Sequence, residues 1–163
     1  MFANRVKELA KSLRTRGIAA AAILPSAGLY YLTGMSAKLS ERPMLFVFTA
    51  DGASYAVCPS FESERVRRDS GVTSLFVYTD EEGAQAGFTR LFEAVGELSK
   101  VAMEYQAARV LEYMYLSQAC RVQDVVDLRL ILAEQRMRKD PKELNYMQQA
   151  AAQADALMGV VEA

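Results

Sequence analysis

Histidine is absent from all 163 residues. No neutral imidazole is available as a general base or zinc ligand, which excludes a Ser-His-Asp triad and any His-based metal site built from this chain alone. Cysteine is nearly as scarce. Cys58 and Cys120 are too few for a disulfide framework and lack metal-ligand spacing, so both read as buried, reduced thiols of a cytoplasmic protein. An excess of either charge is missing too: 19 Lys and Arg against 20 Asp and Glu give no electrostatic case for nucleic acid or an anionic membrane as partner. No apolar run reaches the length of a membrane span, and the N-terminus lacks the continuous apolar segment of a signal peptide. The nine glycines stand as single breakers, with no G-x-G-x-x-G and no P-loop among them.

What remains is an ordinary globular composition, 52% hydrophobic and 24% charged, enough for one domain and the start of another. Val6, Leu9, Ala10 and Leu13 put an apolar face on a first helix, which Gly17 ends. Ile18–Leu24 is a continuous apolar run of strand length, alanine-rich for a strand. Pro25 breaks it, Ser26 caps a short helical turn through Leu29–Leu32, and Gly34 closes that turn. Met35–Arg42 reads as a loop. Met44–Thr49 and Ser54–Cys58 flank an Asp51-Gly52 turn and form a hairpin.

Beyond the hairpin, a polar helix (FESERVRRD) ends at Gly71, and Ser74–Tyr78 is a strand. Phe88, Leu91, Phe92, Val95 and Leu98 give the clearest helical pattern in the chain. Val101, Met103 and Tyr105 alternate on a strand; Val110, Leu111 and Met114 mark a helix; Arg121–Val126 is a strand and Asp127–Glu134 a helix. Alternating strands and helices with one hairpin predict an α/β fold, a mixed sheet covered by helices on its faces.

The last segment has its own signals. Asp140 is an N-cap, Pro141 suits the first turn and Glu143 completes a capping box. Leu144, Met147, Ala151, Ala154, Met158 and Val161 then follow at 3-4-3-4-3 spacing on a helix expected over 141–162, ~33 Å long. No Gly, Asn or Pro closes it, so the chain is expected to be the front part of a longer protein. The charged stretch Arg136–Pro141 is the boundary signal, which separates residues 1–135 from residues 136–163.

Few side chains invite a functional reading, and each has a plainer one. Tyr30 and Tyr31 could line a pocket, since tyrosine pairs apolar area with a polar tip, or one packs in the core while the other is partly exposed. Arg42, at the end of a long loop before a buried strand, either forms a rim ion pair or binds a carboxylate through its planar fork. Arg65, Arg67 and Arg68 fit an exposed helix face as well as a phosphate.

Three segments in order resemble the N-terminal domain of the creatinase/prolidase/aminopeptidase P family. PSAGLYYLTG (Pro25–Gly34) is similar to that family's Y-L-T-G signature, VAMEY (Val101–Tyr105) to its strand ending in Glu, here Glu104, and RMRKDPKELNYMQQAA (Arg136–Ala151) to its R-x-x-K-x-x-x-E run through Arg136, Lys139 and Glu143. The resemblance implies a six-stranded mixed sheet flanked by helices, ribonuclease H-like, standing before a pita-bread catalytic domain. That second domain would hold two divalent metal ions (Mn, Co or Zn) on two Asp, one His and two Glu. In this chain the resemblance implies no catalytic residue and no metal ligand. Residues 136–163 would be the linker and first helix of the catalytic domain. The function implied is that of a non-catalytic domain in a metal-dependent Xaa-Pro aminopeptidase or dipeptidase. Its expected partners are its own C-terminal catalytic domain, a second copy in a homodimer and a proline-containing peptide. Arg42, Tyr30 and Tyr31 are the substrate-entrance candidates. Gly28 departs from the family's Asn; both residues tolerate left-handed backbone, so the turn is expected to survive. The alternatives are a protein-interaction module of the same fold without catalysis, or a free-standing small-molecule-binding α/β domain.

Overall fold

A computed structural model describes the backbone of residues 2–161 and the side chains of residues 2–158. The chain divides into two compact units after Leu132. In the first, among the described residues, six strands form one mixed sheet in the order β4-β3-β2-β1-β5-β6. They are β1 (Ala20–Ile23), β2 (Leu45–Thr49), β3 (Ser54–Pro59), β4 (Ser74–Tyr78), β5 (Lys100–Met103) and β6 (Asp124–Asp127). β2 runs antiparallel to β1 and β3, while the β1–β5, β5–β6 and β3–β4 pairs are parallel. Five carboxyl ends and the start of β2 therefore share one edge.

The sheet is covered on both faces. Ala21 and Ile23 of β1 share a core with Leu9 and Leu13 of α1 (Phe2–Thr15), Leu29 and Leu32 of α2 (Ala27–Thr33), and Val66 of α3 (Ser63–Asp69). Leu128, Ile131 and Leu132 of α6 (Leu128–Met137) join the same core. Ala20 and Ala22 share the opposite core with Phe88, Leu91 and Phe92 of α4 (Ala84–Val95) and with Leu116 and Cys120 of α5 (Val110–Cys120). Alternate residues thus face opposite helical layers, as the two-residue period of a strand requires. Alanine is a poor strand former, but every residue of β1 is fully buried, and burial on both faces overrides the propensity.

At seven residues, α2 is too short to persist alone. Three contacts hold it. Ser26 accepts the Leu29 N–H at 3.1 Å, Gly34 closes the helix at φ 80° with its N–H on Tyr30 O, and Leu29 and Leu32 are fully buried. A side-chain cap contributes about 1 kcal/mol and each buried leucine about 2 kcal/mol.

Several boundaries differ from the sequence reading. The polar helix opens with a 3₁₀ turn at Ser60–Glu62, its last carbonyl-bonded N–H belonging to Ser63, because Pro59 enters in extended conformation. α4 ends at Val95, where Gly96 takes φ 78°; Leu98 lies past the helix yet is buried in the same core. β5 stops at Met103, so Tyr105 is off the strand and 55% exposed, its hydroxyl donating to Val125 O at 2.7 Å. β6 begins at Asp124 rather than Arg121, and Asp127 caps α6 by accepting the Arg129 N–H at 3.1 Å.

α5 forms where the sequence marks a helix. Val110, Leu111 and Met114 do lie on a helix, but all three are exposed; the buried residues are Glu112, Leu116 and Cys120. In the second unit, α7 spans Pro141–Val161. Its capping box is complete: the Asp140 N–H donates to Glu143 and the Glu143 N–H to Asp140, both at 2.9 Å. Leu144, Met147 and Met158 are exposed. Glu162 and the side chain of Val161 lie outside the described residues. Among the described residues no helix is long and apolar enough to cross a membrane.

Candidate functional site

Adjacent parallel strands β1 and β5 send their following helices to opposite faces, α2 to one and α5 to the other. In open α/β sheets the crevice at such a reversal, outside the carboxyl ends of the strands, is where ligands bind. The polar side chains of this domain gather along the same edge.

Glu104 leaves the end of β5 and meets the start of α2. Its Oε2 accepts a hydrogen bond from Ser26 Oγ at 2.5 Å. Its backbone carbonyl accepts the N–H groups of Ala107 and Ala108 at 2.9 and 2.8 Å, which turns the chain toward α5. Gly28 makes room for this carboxylate, since a Cβ there would stand 2.6 Å from Glu104 Oε1. The expectation that Gly28 serves a left-handed turn is corrected: it is an α2 residue outside the positive-φ set. What the position governs is space.

A second clamp starts at Arg109. The Nε atom donates to both Glu112 carboxylate oxygens at 2.9 and 3.1 Å, and Nη2 donates to Oε1 as well. Nη1 reaches across to Ser40 O at 2.5 Å. Glu112 is fully buried. One guanidinium therefore neutralises an interior carboxylate and pins the Met35–Arg42 loop to the start of α5.

Arg42 sits further along the edge, where β2 begins. Its Nε and Nη2 donate to the two oxygens of Asp80 at 2.9 and 2.8 Å, and its Nη1 to Glu41 at 3.0 Å. The guanidinium carbon lies 5.7 Å from the Phe61 ring centroid. The hydrogen bond and charge of Arg42 hold the Asp80 carboxyl below its usual range, and Asp80 raises Arg42 in turn. Asp127 is likewise held low by its hydrogen bonds from Arg129.

The two tyrosines part company. Tyr30 is 56% exposed. Tyr31 packs against the core beneath Arg5, whose guanidinium stands 4.2 Å from the ring centroid and donates to Tyr31 O at 2.7 Å. Tyr30 and Tyr31 thus lie on α2, whereas Arg42 lies just before the start of β2. Cys58 and Cys120 are free and buried, and burial pushes their thiols up to about 12 and about 11.

Sequence reasoning missed both clamps. For Arg109–Glu112 a signal existed: an i, i+3 Arg–Glu pair opening a helix that is otherwise uncharged. For Ser26–Glu104, whose partners stand 78 positions apart in the sequence, no local signal exists.

Chemically, this edge offers matched pairs. Glu104, Glu112, Asp80 and Asp127 are each engaged by a hydroxyl or a guanidinium. Among the described residues no group of three or more His, Cys, Asp or Glu is placed to hold a metal ion. That donor set does not fit a two-metal hydrolytic centre.

Comparison with known proteins agrees with this geometry. The Creatinase/Prolidase N-terminal domain profile matches residues 5–138. A putative dipeptidase of Bacillus subtilis is 25% identical over 154 residues, 93% of this chain and 42% of that protein. An uncharacterized peptidase of Staphylococcus haemolyticus is 27% identical over 154 residues with the same coverage. This chain thus spans about 42% of the length of those relatives. Among solved structures, the dipeptidase PepE from Mycobacterium ulcerans superposes with a TM-score of 0.81 at 23% identity, over 98% of this chain and 43% of that one. The Creatinase/Prolidase N-terminal domain of an X-Pro dipeptidase from Streptococcus pyogenes does so with a TM-score of 0.71 at 18% identity, over 82% of this chain and 99% of that one. With its six-stranded mixed sheet, flanking helices and matched segment, the chain belongs to the Creatinase/Prolidase N-terminal domain family.

Proposed function

We propose that this domain is the non-catalytic N-terminal part of a cytoplasmic, metal-dependent Xaa-Pro aminopeptidase or dipeptidase. In that setting it contributes to a homodimer and forms a wall of the substrate entrance. One observation carries the reading: the family match covers residues 5–138, while the peptidase relatives are more than twice as long as the segment they share with this chain.

The catalytic part belongs to the domain that follows, its two divalent ions (Mn, Co or Zn) on two Asp, one His and two Glu. Bound there, such ions would supply Lewis-acid activation of a scissile amide and of water. This chain has no histidine with which to build that set. Its own contribution is steric and electrostatic. The loop fixed by Arg109 carries Arg42 at the rim, its fork already oriented by Asp80 and Phe61. A peptide carboxylate would compete with Asp80 for that fork, and Tyr30 adds an exposed amphipathic ring.

The test compares two proteins. The purified 163-residue chain should cleave no Xaa-Pro dipeptide with Mn²⁺, Co²⁺ or Zn²⁺ supplied, whereas the protein from the full reading frame should do so. Cleavage by the 163 residues alone, or a full reading frame without the five metal ligands, would overturn the proposal. The second of these outcomes would favour an interaction module of the same fold.

A further inference from the structure

A hollow of about 220 Å³ lies where the chain passes from β5 to α5. Met103 at the end of β5, Tyr105, Ala108 and Arg109 of the following turn, Tyr113 of α5 and Val125 of β6 wall it. It therefore opens by the carboxyl ends of parallel strands, the edge at which open α/β sheets take their ligands. Met103, Ala108 and Val125 make much of the lining apolar. Tyr105 and Tyr113, both exposed, add two aromatic rings. The Tyr105 hydroxyl is tied to Val125 O at 2.7 Å, so one ring is held in place before any ligand arrives.

Arg109 is the one charged residue of that lining, and its donors are not all used. Nε–H and one N–H of Nη2 go to Glu112, and one N–H of Nη1 goes to Ser40 O. A guanidinium carries five N–H groups, so one on each Nη has no acceptor among the described residues. The cation itself is already balanced, because Glu112 is fully buried against it. An anionic ligand would set a second carboxylate on the same guanidinium beside an apolar wall, where desolvation penalises the charge. An uncharged carbonyl accepts from the spare N–H groups without that cost.

We propose that the hollow binds a small, uncharged aromatic molecule with a carbonyl acceptor, its ring against the tyrosines and its carbonyl on Arg109. The space is below the ~300–1,000 Å³ of sites for drug-sized ligands, which limits the occupant to a single substituted ring. Two aromatic walls and a planar guanidinium favour a flat one. Arg109 also holds Ser40 O. A ligand bound to Arg109 thus selects the state in which that contact is closed, and restrains the Met35–Arg42 loop. The inference concerns a site contained in these residues and does not depend on the proposed function.

Benzamide is the probe. Titrated into the isotope-labelled 163-residue chain, it should shift the backbone amide resonances of residues 103–113 and Val125 saturably, with a Kd in the millimolar range. Benzoate, the same ring with a charge, should bind about tenfold more weakly or worse. Tyr113→Ala, at a position 42% exposed and with the fold checked by circular dichroism, should weaken benzamide about tenfold. At ten times its Kd, benzamide should slow trypsin cleavage at Lys38 about tenfold, with a free lysine peptide as the control for the protease itself.

The absence of saturable shifts overturns the proposal, as does benzoate binding as tightly as benzamide. Indifference to Tyr113→Ala, or a Lys38 bond that benzamide leaves unprotected, does the same. The titration is repeated on the protein from the full reading frame, where loss of the shifts would assign the hollow to a later segment and also overturn the proposal. The peptidase assay keeps the two readings apart. Benzamide binding in a full-length protein that cleaves no Xaa-Pro bond sinks the proposed function alone. Xaa-Pro cleavage by a protein that ignores benzamide sinks this inference alone.

Discussion

Replacing Arg109 with alanine would strand the Glu112 carboxylate inside the domain with no cation beside it. Removing one partner of a buried ion pair costs about 3–5 kcal/mol, most of it the penalty of the charge left behind. The low end applies here: the Arg109 side chain is 33% exposed, so the vacated space opens toward water. With ~3 kcal/mol lost and an urea m-value of about 2 kcal/mol/M for a domain of this size, the midpoint should fall by about 1.5 M. Against a typical total of about 5–15 kcal/mol, that is a severe loss. The chain has eight tyrosines and no tryptophan, so far-ultraviolet circular dichroism is the signal to follow. Two further variants establish the mechanism. Glu112→Leu should cost less than Arg109→Ala, because the surviving guanidinium is partly solvated. The double variant Arg109→Met/Glu112→Leu should lie within about 1 kcal/mol of the wild type. Arg109 also holds Ser40 O, so trypsin should cut at Lys38 faster in Arg109→Ala under native conditions. A cost below ~1 kcal/mol for Arg109→Ala, with an unchanged cleavage rate at Lys38, would refute the clamp.

Other expectations follow from the same edge and core. Gly28→Ala should displace the Glu104 carboxylate and destabilise the domain by about 1 kcal/mol, the lost Ser26 hydrogen bond outweighing the better helix propensity; in a Glu104→Ala background the same substitution should stabilise it, as urea titrations of the four proteins would show. Asp80 and Asp127 have folded-state values depressed below the unfolded ones, so the stability they add is present above about pH 4 and lost as pH falls through the depressed values. Urea midpoints should therefore hold level from pH 7 to 5 and drop below about 4, and Asp127→Asn should flatten that drop. Cys58 and Cys120, buried with raised pKa values, should resist a thiol reagent in the native state and react in step with unfolding; rapid native labelling would show that the core opens locally. If the proposed function holds, Arg42→Ala in the full-length protein should raise KM for an Xaa-Pro peptide about tenfold, and unchanged KM and kcat would remove Arg42 from the proposed entrance.

Which of these features the sequence disclosed depends on how far their physical cause reaches along the chain. Ser26, Gly34 and the Asp140–Glu143 box act within four residues, and each is read correctly from local pattern alone. β4 is legible to the residue, as an apolar run between Gly71 and an acidic turn. α5 is not. Its apolar residues surround the helix, so no stripe announces the inner face, and a buried glutamate is a poor guess without knowing that Arg109 folds over it. Leu98 and Tyr105 mislead in the same way, continuing a period past the point where Gly96 and the Glu104 turn have ended the element. The acidic partner of Arg42 lies 38 residues away on another strand, and only the sheet order makes them neighbours. The domain's membership was legible from three short segments, whereas its clamps required coordinates.

The alanines of β1 have a consequence for how the chain comes off the ribosome. The β2–β3 hairpin closes a loop of a few residues, but one side of β1 must wait for β5, roughly 80 residues later. Closing the longer loop costs about 2–3 kcal/mol more in chain entropy. At about 5–20 residues per second, synthesis leaves that flank open for roughly 4–16 s. An unpaired strand edge recruits other chains, and it does so most strongly when rich in valine, isoleucine and aromatics. Ala20-Ala21-Ala22 gives a nascent neighbour little to hold. The weak strand former in the interior of the sheet thus acts as a safeguard against misassembly until Lys100–Met103 arrives and the partner strand seals it.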